Sequence, residues 1–140
     1  MHLKRQKTPK NWPIPRKGTA YVVRPKFNPK KGVPLLIALR DMLKLTKDRR
    51  ETKEIIHSKL ILVNNKISRN EKNPVFLFDI LSISPLKKNY KLTISDKGKF
   101  KFEEIKENEA KYKIAKIVNK KILKGKKIQL NLSDGRNILS

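Results

Sequence analysis

The sequence predicts an α+β chain in three parts. Residues 1–33 form an extended basic N-terminal arm, residues 34–105 a helix–turn–helix with antiparallel β hairpins, and residues 106–140 the beginning of a β domain. Three observations carry this. Six of the eight prolines lie within residues 1–34, and residues 1–40 hold 11 Lys+Arg with no acid before Asp41. From Pro34 the apolar residues recur at helical spacing. From Leu60 they form short strand-length runs and then alternate, with turn residues between them.

The arm has too few aliphatic side chains to offset its own ordering. Fixing each backbone residue costs about 1–2 kcal/mol, and like charges repel until a polyanion neutralises them. It is therefore expected to be disordered alone and to order on RNA. Trp12, Tyr21 and Phe27 are interleaved with Lys10, Arg16, Lys17, Arg24 and Lys26, and an unpaired base offers an aromatic ring a face for stacking. His2, Lys4, Arg5 and Lys7 belong to the same basic segment. A solvated tail or a nuclear-import signal is the plainer alternative.

From Pro34, whose missing N–H is not needed in a first helical turn, Leu35, Leu39, Met42 and Leu43 fall on one stripe. Arg40, Lys44 and Lys47 fall on a second, basic stripe. Thr46 is placed to cap a second helix over 47–58. There Ile55 and Ile56 face the core, and Arg49, Arg50, Lys53 and His57 fall mostly on the other side. Leu60–Val63, Asn64-Asn65 and Lys66–Ser68 read as a hairpin with a primed turn, which needs positive φ at both central residues. Val75–Ile83 reads as a buried strand interrupted by Asp79. Tyr90, Leu92 and Ile94 alternate with Lys91, Thr93 and Ser95, and after the Asp96-Lys97-Gly98 turn Phe100 and Phe102 alternate on the return strand. Glu103–Glu109 is a small acidic stretch, expected as a linker or short helical turn. Tyr112, Ile114 and Ile117 then open a β domain whose last strand, 137–139, leaves an uncovered edge.

Composition narrows the function. The chain carries 36 Lys+Arg against 12 Asp+Glu, a net charge of +24, and has no Cys. A polyanion is the natural counter-surface. Disulfides, thiolate zinc sites and a catalytic thiol are excluded. No apolar run approaches the roughly 20 residues of a membrane span, and no apolar signal region comes after the basic start, so an intracellular protein is expected. His2 and His57 lack metal-ligand spacing, and the five glycines never take a phosphate-loop pattern. No catalytic apparatus, cofactor or metal is expected. His57 reads as a surface or RNA-facing residue.

The string His2-Leu3-Lys4-Arg5, then Pro9-Lys10 and Trp12-Pro13-Ile14, resembles the opening signature of the S-four-e family of archaeal and eukaryotic small-subunit ribosomal proteins, in its archaeal form. Arg24-Pro25 and the run from Val33 to Asp41 resemble the family's next segment, through its first helix. Glu51–Ile56 and Leu62–Lys66 resemble the second helix and hairpin of an S-four-type RNA-binding domain. Phe78–Ile83 resembles its Asp-containing strand, and Glu109–Lys113 and Gln129–Ile138 its central domain. Lys59 stands where the family pattern has Gly, and Asn65 replaces the hairpin Gly. Family members run on into a KOW-type C-terminal domain with no counterpart in these residues.

The resemblance implies a cytoplasmic structural constituent of the small ribosomal subunit, with an S-four-type helix–turn–helix and the start of a small β-barrel. Its partners would be small-subunit ribosomal RNA and neighbouring ribosomal proteins, with no membrane and no small-molecule substrate. The RNA-facing residues it implies are Arg40, Lys44, Arg49, Arg50 and Lys53, with Lys66 and Arg69 at the hairpin, beside those of the arm. A free-standing RNA-binding factor acting on ribosomal or transfer RNA is the alternative, and would lack the N-terminal signature. A DNA- or chromatin-associated protein comes third; it calls for Asn, Gln or Arg aimed at base edges, where this chain shows mainly Lys and Arg.

Overall fold

The computed structural model describes all of residues 1–140. β1 (Leu3–Lys4) pairs antiparallel with β2 (Tyr21–Val22), Leu3 opposite Val22. Arg5 straps the loop between them. Its Nε donates to the Thr19 carbonyl and its Nη1 to the Pro15 carbonyl, both at 2.7 Å, and its Nη2 to Thr19 Oγ1 at 3.1 Å. Trp12 is 2% exposed, and its Nε1–H donates to the carbonyls of Pro29 (3.0 Å) and Gly32 (2.9 Å). Leu3, Ile14, Val22 and Val23 pack against the same core.

Two expectations are corrected by this packing. The N-terminal segment lies folded against the rest of the chain instead of standing off as an arm, and Trp12 has no face left for a base. A buried Trp removes on the order of 150–250 Å² from water. Prolines also narrow the unfolded ensemble, so ordering this segment costs less than a uniform count per residue implies.

β3 (Gly32–Pro34) leads directly into α1, an α-helical turn Leu35–Ile37 that continues as a π-helical turn, Ala38–Met42. Val33 through Leu39 are all buried. The first turn is thus apolar on every side, not striped, as suits a helix enclosed by core. Its free N–H groups are met by a distant loop: Leu35 N–H donates to Asn73 O (2.9 Å) and Leu36 N–H to Glu71 O (3.0 Å).

α2 (Arg49–His57) starts after Asp48, which occupies the cap position in an extended conformation without a side-chain cap bond. Thr46 is not the cap. It is buried, and its hydroxyl lies 2.7 Å from that of Thr52. Thr52 Oγ1 donates to Asp48 O at 2.9 Å, so the proton between the two hydroxyls comes from Thr46. Glu51, in the first turn, reaches back past the cap to accept the Lys47 N–H at 2.8 Å. Ile56 is buried and Ile55 half-buried. The helix ends with Lys59 at φ 59°, in the left-handed conformation where glycine is cheapest.

β4 (Ile61–Val63) and β5 (Lys66–Ile67) form the expected hairpin, with Asn64 at φ 50° and Asn65 at φ 61°. The anticipated strand 75–83 is two strands in two sheets. β6 (Pro74–Phe76) pairs with β3, so closely that a Cβ on Gly32 would sit 2.4 Å from Val75 O. β7 (Ile80–Ile83) joins a five-stranded antiparallel sheet with β8 (Lys88–Ile94) and β9 (Phe100–Ile105), in the order β5-β4-β7-β8-β9. The break is made by Phe78 at φ 65° and by Asp79, 1% exposed, whose Oδ2 accepts the Phe76 N–H and whose Oδ1 accepts the Asn64 amide, both at 2.9 Å. A carboxylate there cannot point into an apolar core without donors, so the backbone turns to supply them.

Glu103 and Glu104 belong to β9 rather than to a linker, Lys101 pairing with Glu103 and Lys88 with Glu104. The helical turn comes later, at Glu109–Lys111. β10 (Ile117–Ile122), β11 (Ile128–Leu132) and β12 (Asn137–Leu139) make a separate three-stranded sheet. The register puts Ile117 opposite Leu132, Ile122 opposite Ile128, and Leu130 opposite Ile138, on one apolar face. That face is open: Ile122 is 74% and Ile138 51% exposed, and no residue after Phe100 is buried. Lys113 joins this sheet to the rest, its ammonium lying between Asp79 and Asp134.

Two variants test this packing. Trp12→Ala should lower stability by about 3–5 kcal/mol, where a free arm would register almost nothing. Lys59→Gly should raise it by about 1 kcal/mol by relieving the left-handed residue. Both are read from urea unfolding midpoints.

Candidate nucleic-acid interface

Arg49, Lys53 and His57 recur at every fourth position of α2 and so share one face. Opposite them runs the loop 69–73. Asn70 shapes it, accepting the Lys72 N–H on Oδ1 at 2.9 Å and the Asn73 N–H on its carbonyl at 3.1 Å. Asn73 anchors it by donating to the hydroxyl of the buried Ser68 at 3.0 Å. The same loop caps α1 and is tied to α2 by the Arg49–Glu71 pair. Lys26 N–H donates to Lys72 O at 3.2 Å and draws the N-terminal segment to the rim.

The result is a groove of about 340 Å³ lined by Lys26, Lys53, His57, Arg69 and Lys72, with Arg49 and Glu71 along its wall. Lys26, Lys53, Arg69 and Lys72 are exposed and make no ion pair within the chain. Arg49 is different. Its guanidinium forks onto Glu71, whose side chain is only 7% exposed. The Arg49 bonds, with the nearby Lys53 and Lys72 charges, hold the Glu71 carboxyl below the usual carboxylate range, and the pairing raises the Arg49 pKa in turn. Four lysine and arginine cations with free donors on one concave surface suit phosphate oxygens, which accept without donating.

The structure thus brings together Lys26, Arg49, Lys53 and Arg69 from the sequence-based set. Arg50 and Lys66 are exposed outside the groove. Lys44 is exposed in the turn after α1, at φ 52°. Arg40 is spent on Asp41, with contacts of 3.2 and 2.9 Å. In the N-terminal segment Lys4, Lys7, Lys10, Arg16, Lys17 and Arg24 are exposed. The exposed His2 lies against the Tyr21 ring, 5.2 Å between centroids. Arg5 is half-buried, and its fork is occupied by Pro15 and Thr19. Arg5 and Trp12 are therefore removed from the candidate contacts, because both are satisfied by the chain itself. Lys72 escapes sequence reasoning, which also places His57 no more closely than on the surface or toward RNA. His57 is legible as the third member of the series 49, 53, 57, whereas Lys72 sits in an aperiodic loop.

Glu71 carries a pH signature. A carboxyl whose folded pKa is depressed adds stability above its unfolded pKa and loses it as pH falls through the folded value. Glu71→Gln should therefore lose less stability than the parent on acidification below about pH 4.5, as followed by thermal midpoints across that range.

Residues 86–140 match the model of the ribosomal family S4e, and residues 1–29 match the RS4NT domain. The small ribosomal subunit protein eS4 of Archaeoglobus fulgidus is 41% identical over 141 residues, spanning 99% of this chain and 59% of that protein. Its counterpart from Methanocella arvoryzae is 39% identical over 142 residues, spanning 99% and 60%. The crystal structure of the 30S ribosomal protein S4e from Thermoplasma acidophilum aligns with a TM-score of 0.65 at 31% identity, covering 79% of this chain and 56% of that one. The chain spans about three fifths of the length of these curated relatives. With both of its ends matched by family models and nearly all of it matched by archaeal relatives, the chain belongs to the ribosomal S4e family.

Proposed function

We propose that this chain is a structural constituent of the small ribosomal subunit, binding ribosomal RNA in the cytoplasm and catalysing no reaction. The observation that carries this is the groove in which α2, the loop 69–73 and the N-terminal segment converge four unpaired Lys and Arg side chains. In this reading residues 34–105 act as an S-four-type RNA-binding domain. Residues 106–140 begin the central β domain, and the exposed cations of residues 1–33 extend the RNA contact from the side. Neighbouring small-subunit proteins are the remaining partners. The mechanism is phosphate neutralisation with recognition of RNA shape. His57, at the end of α2, adds a donor that neutral imidazole also supplies.

The test is a salt titration of binding to a small-subunit ribosomal RNA fragment. With about eight phosphate contacts, affinity should fall by roughly three to five decades between about 50 and 200 mM salt. Lys53→Ala with Arg69→Ala should flatten the slope of log K against log salt by about 1.4–1.8. Each exposed substitution should leave stability within about 0.5 kcal/mol. A parent whose affinity barely responds to salt would sink this reading.

A further inference from the structure

The groove of the proposed RNA interface is not the largest concavity of the molecule. A slot of about 670 Å³ opens on the opposite side of the five-stranded sheet from the core, between the sheet and the turn Glu109–Lys111. Its floor is the middle of one cross-strand row, Leu62, Ser82 and Asn89. Ile67, Leu62, Ser82, Asn89 and Ile105 face one another in sequence across all five strands and lie on the outer face. This row is apolar at its ends and polar in its middle. Asn65, Ser82 and Asn89 line the slot, and their side chains find no hydrogen-bond partner in the chain. Lys87, Glu107 and Lys111 line it too, all exposed and without an ion pair in the chain, two cations against one carboxylate.

We propose that this slot holds one unpaired nucleotide of RNA, its base against Leu62 and the Ser82–Asn89 pair and its phosphates on Lys87 and Lys111. The inference rests on the RNA-binding reading and names a second site for it. A carboxamide both donates and accepts, as the Watson–Crick edge of a free base requires. The volume lies within the range of pockets that enclose molecules of nucleotide size. An acidic metabolite without a base would leave Leu62 and the carboxamides of Asn65 and Asn89 unused. A protein loop would have to meet the net positive lining of the slot on a surface that already carries a large positive excess.

Lys87 supplies an unusual control. It sits at φ 49°, where glycine is the easier residue, so Lys87→Gly removes the cation while relaxing the backbone and does not endanger folding. The probe is a fluorescein-labelled oligouridylate of about twelve nucleotides, with an RNA duplex of similar length as the comparison. Lys87→Gly should flatten the salt slope for the oligouridylate by about 0.7. Asn89→Ala should weaken oligouridylate binding about fivefold. Both should leave duplex binding unchanged. If Lys87→Gly and Asn89→Ala bind the oligouridylate as the parent does while Lys53→Ala with Arg69→Ala weakens duplex binding, the slot assignment is overturned and the groove stands. If none of the variants alters either probe, the RNA reading falls with it.

Discussion

The carboxylate of Asp79 is the contact on which most of this architecture turns. It is 1% exposed and takes the Phe76 N–H, the Asn64 amide and the Lys113 ammonium. Stranding a buried charge by removing one partner costs about 3–5 kcal/mol, so its three donors are coupled. Through Phe76 it ends β6, and through Asn64, whose Oδ1 accepts the Ile80 N–H at 3.0 Å, it holds the β4–β5 turn against the start of β7. Through Lys113 it reaches Asp134, tying the last sheet to the rest of the chain. Burial alone would push the Asp134 carboxyl up; the Lys113 and Arg136 contacts prevail and hold it below the usual carboxylate range. One side chain thus sets where two sheets divide and where a third attaches.

The two kinds of cation are used differently. Arg5, Arg40 and Arg49 place their forks on acceptors within the chain: backbone carbonyls, Asp41 and Glu71. A planar guanidinium offers several donors in fixed directions and is the natural choice for such internal bracing. Most lysines, each with one strongly hydrated head on a flexible stem, are left on the surface, where a phosphate can approach them; Lys113, held between Asp79 and Asp134, is the exception. Charge density is kept even at backbone positions that resist it. Lys44, Lys59, Lys87 and Lys126 all hold φ between 49° and 61°, each at a cost of about 1–2 kcal/mol in the left-handed region. With a net charge of +24, the chain retains a field that draws a polyanion and repels its own copies.

Local chemistry by itself determined the hairpins and the sign of the surface charge. Asn64-Asn65 and the Gly98 turn were readable because positive φ is a property of single residues, and β8 and β9 because alternation has a period of two. The charge excess and the lack of cysteine pointed to a polyanion and against thiol chemistry without any fold. Tertiary structure alone decided what the large and paired side chains do. Trp12 reads as a partner for a base because nothing nearby in sequence could bury it; its acceptors, Pro29 and Gly32, lie 17 and 20 residues away. Thr46 gave up the cap position for Thr52, and Arg49, which the sequence places on the basic face, is taken up by Glu71, 22 residues on. Lys26, Lys53, Arg69 and Lys72 share one groove only because the loop 69–73 lies over the start of α1. Propensity and charge act over a few residues and leave a mark in the sequence, whereas the partner of a buried polar group is chosen by packing, which brings distant segments together and is recorded only in the fold.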